Sequence, residues 1–288
     1  MISSHKVSQG DDRSDDRDHI LVRDGMRPMV IPEPFPHIVV DKALPAEIHT
    51  ELCRTIPNDQ YLVAPHSKGP NRYHRRSASE LLGNSDYKLS EVWRRFIRGH
   101  LGRDFYQTCL SVFAANLHDA DATVRAKTGH GLGEIAPAMR GEWGSESAAA
   151  WLECQISHVT PTDQPGTPLG PHVDREVALW AGLYYLNGTG PDAGGDLVFY
   201  RFRNGFDREY WKDGMIPPSH VEPVKKIAAR ANRLVMFLHG PDAIHGVTPR
   251  LPGYGPRQSV NLVCEFPFKI WDIESHRRNR DRFPGEED

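Results

Sequence analysis

His172 and Asp174 stand two residues apart in "GPHVDREVALW", behind a Gly-Pro pair and ahead of a strand-like apolar run. On a β-strand, residues i and i+2 face the same way, so this spacing predicts an imidazole and a carboxylate side by side. Such a pair can hold a metal ion. Alone it is a weak signal: with 15 histidines in the chain, on the order of one H-x-D arises from composition. A second histidine from a distant strand would complete a set of two imidazoles and one carboxylate. With its opposite face open, that set suits a non-haem Fe(II) that must also bind oxygen and a co-substrate.

His239 and His245 compete for that role within "NRLVMFLHGPDAIHGVTPRLPGYGPRQSVNL". His245 opens the strand-like "HGVTP", followed by the Pro/Gly-rich "RLPGYGP" and a second strand beginning at Arg257. That order predicts a hairpin returning Arg257 close to His245. His239 is expected to be a loop or supporting histidine. On the second strand Arg257, Ser259 and Asn261 alternate with Gln258, Val260 and Leu262, giving one polar row on one face. The planar fork of an arginine grips a carboxylate in bidentate fashion, and the hydroxyl of Ser259 adds a third hydrogen bond. A buried arginine beside a metal implies an acidic co-substrate, since the charge would otherwise be unpaired.

These residues need elements to position them. From Trp151 onward the chain offers short strand-like runs between Gly, Pro and Asp: "WLECQISHV", "WAGLYYLN", "DLVFYRF", "HVEPVKKIA", "NRLVMFL", "HGVTP" and "SVNLVCEF". This pattern predicts a sandwich or barrel. Gly194 and Gly195 mark a tight turn, and Trp180, Tyr184 and Tyr185 are core aromatics, with one tyrosine able to face the co-substrate. Arg175 points away from the metal face if its strand is regular, and could reach the pocket if the strand ends there. Upstream, His37 to Asp41 is a short strand, and Ile48, Leu52, Cys53 and Ile56 form the stripe of a helix that begins at Pro45 and stops at Pro57. Helices are also predicted over 90–101 and 104–117. Residues 61–88 are irregular and basic, with Arg72, Arg75 and Arg76 read as a solvated loop or, alternatively, as substrate contacts. Residues 118–147 are expected to be an inserted loop.

The organisation predicted is therefore a polar mobile tail over 1–27, a helical and loop region over 28–150 that shapes a substrate pocket, and a β-core over 151–288. The last two are expected to form one integrated domain of α+β class.

The 288 residues carry a net charge of −3 and 39% hydrophobic residues. That is enough chain for a sizeable core and gives no general affinity for nucleic acid or anionic membrane. No apolar run approaches the roughly 20 residues of a membrane span. "MISSHKVSQGDDRSDDRDH" lacks the apolar stretch of a secretory signal. Cys53, Cys109, Cys154 and Cys264 are widely spaced, with no C-x-x-C. Free thiols in a reducing cytoplasm are the expectation. No oligomeric state follows from the sequence.

Taken in order, "PHVD", "GLYYLN", "GGDLVFY", "ANRLVMF" and "IHGVTPRLPGYGPRQSVNL" resemble the Fe(II)- and 2-oxoglutarate-dependent oxygenases, in their prolyl-hydroxylase-like branch. The likeness covers roughly residues 151–268 and extends loosely to "PFPHIVVDKALP". Asp174 and His245 are 71 residues apart, and His245 and Arg257 are 12 apart. The resemblance implies a double-stranded β-helix, a jelly-roll-like core with N-terminal helices on one sheet. It implies Fe(II) on His172, Asp174 and His245, 2-oxoglutarate held by Arg257 and Ser259, consumption of O2, and ascorbate as an optional reductant. The activity implied is hydroxylation of a small-molecule, amino-acid or peptidyl substrate with release of succinate and CO2. Desaturation, epoxidation or cyclisation at the same centre is the first alternative. A cupin-like metal-binding barrel that does not use 2-oxoglutarate is the second.

Three departures narrow the expectation. Collagen-type prolyl hydroxylases carry Lys where this chain has Arg257. Nucleic-acid demethylases of the superfamily carry a second Arg six residues after the first; in this chain Cys264 and Glu265 lie downstream instead. Halogenating members lack the carboxylate that Asp174 supplies.

Overall fold

The computed structural model describes residues 17–23, 25–62, 70–84, 87–141, 150–167, 169–188, 190, 192–204 and 214–273. Residues 1–16 of the expected tail, 142–147 of the expected loop and 274–288 of the expected core lie outside the described residues.

Ten strands are described: β1 (His37–Asp41), β2 (Tyr73–Arg76), β3 (Pro137–Met139), β4 (Ala150–Val159), β5 (Ala178–Tyr185), β6 (Leu197–Phe202), β7 (Val221–Ile227), β8 (Arg233–Leu238), β9 (His245–Val247) and β10 (Arg257–Glu265). They form two sheets. The larger runs β1-β8-β5-β10-β4-β2, with β3 joined in parallel to β4, and the smaller runs β7-β6-β9. All other pairings are antiparallel.

Strand alternation divides the larger sheet into two faces. On one face Leu152, Cys154 and Ile156 of β4, Trp180 and Tyr184 of β5, Met236 of β8, and Leu262 of β10 are buried in a core shared with helices. On the other face Ala181 and Tyr185 of β5 and Val235 and Phe237 of β8 pack against Leu197 and Phe199 of β6 and Ile227 of β7. The two sheets thus face one another across a common interior, and among the described residues the α-helices pack on the outside of the larger one.

The described helices are α1 (Ala46–Arg54), α2 (Asp59–Leu62), α3 (Ala78–Gly83), α4 (Glu91–Leu101), α5 (Arg103–Val112) and α6 (His118–Thr128). In α4, Val92, Trp93, Phe96 and Ile97 are buried; they make one stripe at helical spacing. In α3, Ser77 accepts from the Glu80 amide while the Glu80 carboxylate accepts from the Ser77 amide, closing a capping box.

Several expectations are corrected. The predicted tail does not extend to residue 27 as a free segment. Leu21 and Val22 are fully buried, and the Leu21 amide donates to His100 Nε2 of α4 at 3.0 Å. The expected 118–147 loop contains α6, a 3-10 turn over Leu132–Glu134 and β3. In α6 only Val124 is buried, so no apolar stripe marked it. The expected irregular 61–88 region holds β2 and α3, and β2 is a polar edge strand whose backbone pairs with β4. The helix predicted over 104–117 gives way after Val112 to a 3-10 turn over Ala114–Asn116.

Candidate metal and carboxylate site

His172 does not lie on a regular strand, contrary to the expectation drawn from H-x-D. β5 begins only at Ala178, and His172 belongs to an isolated bridge opposite His245. Each residue's amide donates to the other's carbonyl, both at 2.9 Å. Directly opposed residues of an antiparallel bridge project their side chains to the same side. The two imidazoles accordingly sit with ring centroids 4.2 Å apart. Gly246 permits this approach, because a Cβ there would lie 2.8 Å from the Gly170 carbonyl oxygen.

Asp174 completes the group. Its Oδ1 is 3.6 Å from His172 Nε2 and its Oδ2 is 3.7 Å from His245 Nε2. One donor atom from each of His172, Asp174 and His245 falls within 4.8 Å of the others. The histidine tautomers follow from their second nitrogens. His172 Nδ1 lies 2.9 Å from the Gly170 carbonyl oxygen and His245 Nδ1 lies 3.0 Å from that of Ala243. A carbonyl only accepts, so each Nδ1 carries the proton and each Nε2 keeps its lone pair toward Asp174.

The electrostatics agree. Burial, reinforced by the neighbouring His172, pushes the His245 pKa down to about 3, keeping the ring neutral. Burial alone would raise the Asp174 pKa, but the surrounding imidazoles, His239 foremost, outweigh it and hold the group well below the ordinary carboxylate range. Two imidazole donors and one carboxylate fit a divalent iron with open positions.

Arg257 and Ser259 begin β10 and are 7% and 3% exposed. The hairpin expected to bring Arg257 back to His245 does not form. β9 pairs with β6 in the smaller sheet, whereas β10 lies between β4 and β5 in the larger one. The "RLPGYGP" connection instead carries the chain across from one sheet to the other. Arg250 braces the crossing, donating to the Thr160 carbonyl at 2.6 Å and the Gly255 carbonyl at 2.8 Å.

Register shows which side chains share the inner face with Arg257. Ser259 stands opposite Tyr185 on one side and Ser157 on the other, and Asn261 stands opposite Leu183 and Gln155. Arg257 Nη1 donates to the Gly195 carbonyl at 2.8 Å, while its buried Nε has no hydrogen-bond partner among the described residues. The Tyr185 hydroxyl is likewise buried and unpartnered, and burial pushes its pKa up to about 12 against the opposing pull of Arg257. A buried guanidinium and phenol with unmet hydrogen bonds form a fitting cradle for a small carboxylate. Tyr185 is therefore the tyrosine that faces this cradle, and Tyr184 turns outward into the helical core. The Gly194–Gly195 turn positions the carbonyl that holds Arg257. Gly194 has φ +69°, and a Cβ there would meet the Pro249 oxygen at 1.8 Å.

Of the other residues singled out, Arg175 is exposed. Arg75 lies opposite Ser157, exposed, with its guanidinium 5.4 Å from the Tyr73 ring centroid. The Tyr73 hydroxyl accepts from Asn261 Nδ2 at 2.7 Å, tying β2 to the inner row of β10. His239, expected to be a loop or supporting histidine, has a side chain with no exposed surface and stands 3.2 Å from Asp174 Oδ2.

No family model matches the sequence, and no curated protein matches it. Among solved structures, a Pseudomonas putida prolyl-4-hydroxylase is similar at 16% identity over 80% of this chain and 92% of that one, with TM-score 0.46. The epimerase SnoN, in complex with Fe3+, alpha-ketoglutarate and a nogalamycin derivative, is similar at 11% identity over 80% and 78%, with TM-score 0.45. A Trichoplax adhaerens prolyl hydroxylase in complex with a hypoxia inducible factor peptide is similar at 14% identity over 80% and 83%, with TM-score 0.41. At these identities and TM-scores no activity transfers from those proteins to this chain.

Proposed function

We propose that this chain is an Fe(II)- and 2-oxoglutarate-dependent oxygenase that hydroxylates a C–H bond of a small-molecule, amino-acid or peptidyl substrate. The observation that carries the proposal is the pairing of two features inside one two-sheet interior. One is a His172–Asp174–His245 group whose imidazole lone pairs are turned toward the carboxylate. The other is a buried Arg257 whose Nε lacks a partner. A metal-binding cupin has no use for the second feature, so the non-oxygenase alternative is disfavoured. The two facing sheets are taken as a double-stranded β-helix, with residues 28–150 shaping the substrate pocket on its rim.

In this proposal His172, Asp174 and His245 hold the iron, which when bound supplies the oxygen-activating redox chemistry, with 2-oxoglutarate converted to succinate and CO2. The chain's own contributions are positional. Gly170 and Ala243 keep both ligand imidazoles in the tautomer that can coordinate. Arg257, Ser259 and Tyr185 orient the far carboxylate of the co-substrate. The apolar wall of Phe199, Val235 and Phe237 excludes water from the reacting centre.

Asp174 occupies the position a halide ligand would need, which favours hydroxylation over halogenation. The direct test is a substrate screen for succinate release by anaerobically iron-loaded protein, followed by mass spectrometry of the product made under 18O2. A singly labelled hydroxyl product is expected. A chlorinated product in the presence of chloride would overturn the hydroxylase assignment, and a product two hydrogens lighter without label would move it to desaturation or cyclisation.

A further inference from the structure

His239 is a buried titratable residue beside the metal group that the proposed chemistry does not use. It follows β8 directly, and its amide donates to the Leu179 carbonyl at 2.9 Å, which anchors its backbone to the start of β5. Its ring is walled by Phe237 at 5.3 Å and by His245 at 6.1 Å between centroids. Its Nε2 is closer to Asp174 than either ligand histidine is: 3.2 Å to Oδ2, against 3.6 Å from His172 and 3.7 Å from His245. Yet its donor atoms do not join the three-residue group that can surround an ion.

The three histidines differ in what lies behind the ring. His172 and His245 each present Nδ1 to a backbone carbonyl, and this leaves Nε2 as an acceptor. His239 has no such carbonyl, and neither of its ring nitrogens has a hydrogen-bond partner among the described residues. A neutral imidazole must carry one proton. With nothing to accept from Nδ1 and a carboxylate oxygen in front of Nε2, the favoured position for that proton is Nε2. At 3.2 Å, Nε2 and Oδ2 are already within hydrogen-bonding distance.

We infer that His239 is a positioning residue, an N–H donor that holds Oδ2 of Asp174 and leaves Oδ1, on the His172 side, to meet the metal. A carboxylate held in this way binds through one oxygen and keeps the remaining metal positions free. The inference rests on the proposed metal centre. It explains why a polar ring with no exposed surface is placed where a hydrophobic residue would fill the same space.

Metal binding without co-substrate or turnover tests it. Metal-free wild-type, His239→Gln and His239→Asn proteins are titrated with Co(II), following the visible absorption bands. The Gln amide nitrogen reproduces the Nε2 position, and the Asn amide reproduces only Nδ1. The two variants bury similar amides, so a general folding defect affects both alike. Metal affinity should fall about 10–100-fold in His239→Asn, the range for losing a partner behind a metal ligand. It should largely return in His239→Gln, with the Co(II) band shape of the wild type. Equal affinity in all three proteins would overturn the inference. Loss of all Co(II) binding in both variants, with melting temperatures preserved, would also overturn it by making His239 a ligand. A wild-type protein that takes up no Co(II) would instead overturn the metal centre on which the inference rests.

Discussion

Replacing Arg257 with alanine tests the carboxylate cradle quantitatively. One nitrogen of the guanidinium is engaged by the Gly195 carbonyl at 2.8 Å, and the buried Nε is without a partner. A bidentate grip on the far carboxylate of 2-oxoglutarate adds two hydrogen bonds to a charged group, each worth roughly 1.5–3 kcal/mol. The sum is about 3–6 kcal/mol. At about 1.4 kcal/mol per factor of ten, the low end alone weakens binding roughly a hundredfold. The assay is isothermal titration of Zn(II)-loaded protein, which binds the keto acid without turnover. 2-Oxobutyrate serves as control because it keeps the keto-acid end and lacks the far carboxylate. Wild type should prefer 2-oxoglutarate by two orders of magnitude or more, and Arg257→Ala should lose the preference while binding 2-oxobutyrate unchanged. If the variant keeps the discrimination, Arg257 is not the clamp and the metal-only reading gains. If both keto acids weaken equally, the substitution has disturbed the fold, through the Gly195 contact, and not the recognition.

Three further outcomes are expected. His172→Ala and His245→Ala should each abolish stoichiometric Fe(II) or Co(II) binding with far-UV circular dichroism unchanged, and full metal uptake by His245→Ala would show that the wrong distal histidine has been assigned. Leu21, fully buried, should cost about 2–5 kcal/mol on truncation to alanine, and urea unfolding that shows no loss would mean that residues 17–23 do not dock on α4. Burial lowers the His100 pKa from 6.5 to about 4, so below pH 6.5 the unfolded chain takes up a proton that the folded chain refuses. Stability should then fall with decreasing pH by about 1.4 kcal/mol per unit, to roughly 3 kcal/mol near pH 4. His100→Asn should remove that part of the slope, and an unchanged slope in unfolding experiments at pH 7, 6 and 5 would contradict the assignment.

The seven strands after Trp151 were legible because turn-forming Gly, Pro and Asp separate short β-branched and aromatic runs, and each run falls within two residues of its observed strand. The chemistry was legible as residue type and order, and His172, Asp174 and His245 do meet. How they meet was not. Alternation on a strand predicts the same side-by-side geometry that a cross-chain bridge between His172 and His245 produces, so the right neighbourhood followed from the wrong local structure. The partner of β9 depended on sheet assignment, which no local pattern encodes; "HGVTPRLPGYGPR" has the composition of a hairpin and acts as a crossing. α6 was missed because a helix with one buried residue leaves no periodic mark, and β2 because "YHRR" earns its place through backbone pairing at a sheet edge. The closeness of His239 to Asp174 has no sequence signal beyond the presence of a second histidine near His245.

The two halves of the site stand on backbone of different character. Arg257 and Ser259 belong to β10, which has a hydrogen-bonded neighbour along both edges. Amides in such a strand are expected among the best protected from exchange. His172 and Asp174 lie between strands, and His245 heads a strand of three residues. That backbone has fewer ladder hydrogen bonds to break, so local opening is expected to cost less there than in β10. If the proposed centre forms, the segments carrying His172, Asp174 and His245 are the ones expected to open for an ion, while β10, which carries Arg257 and Ser259, keeps its shape.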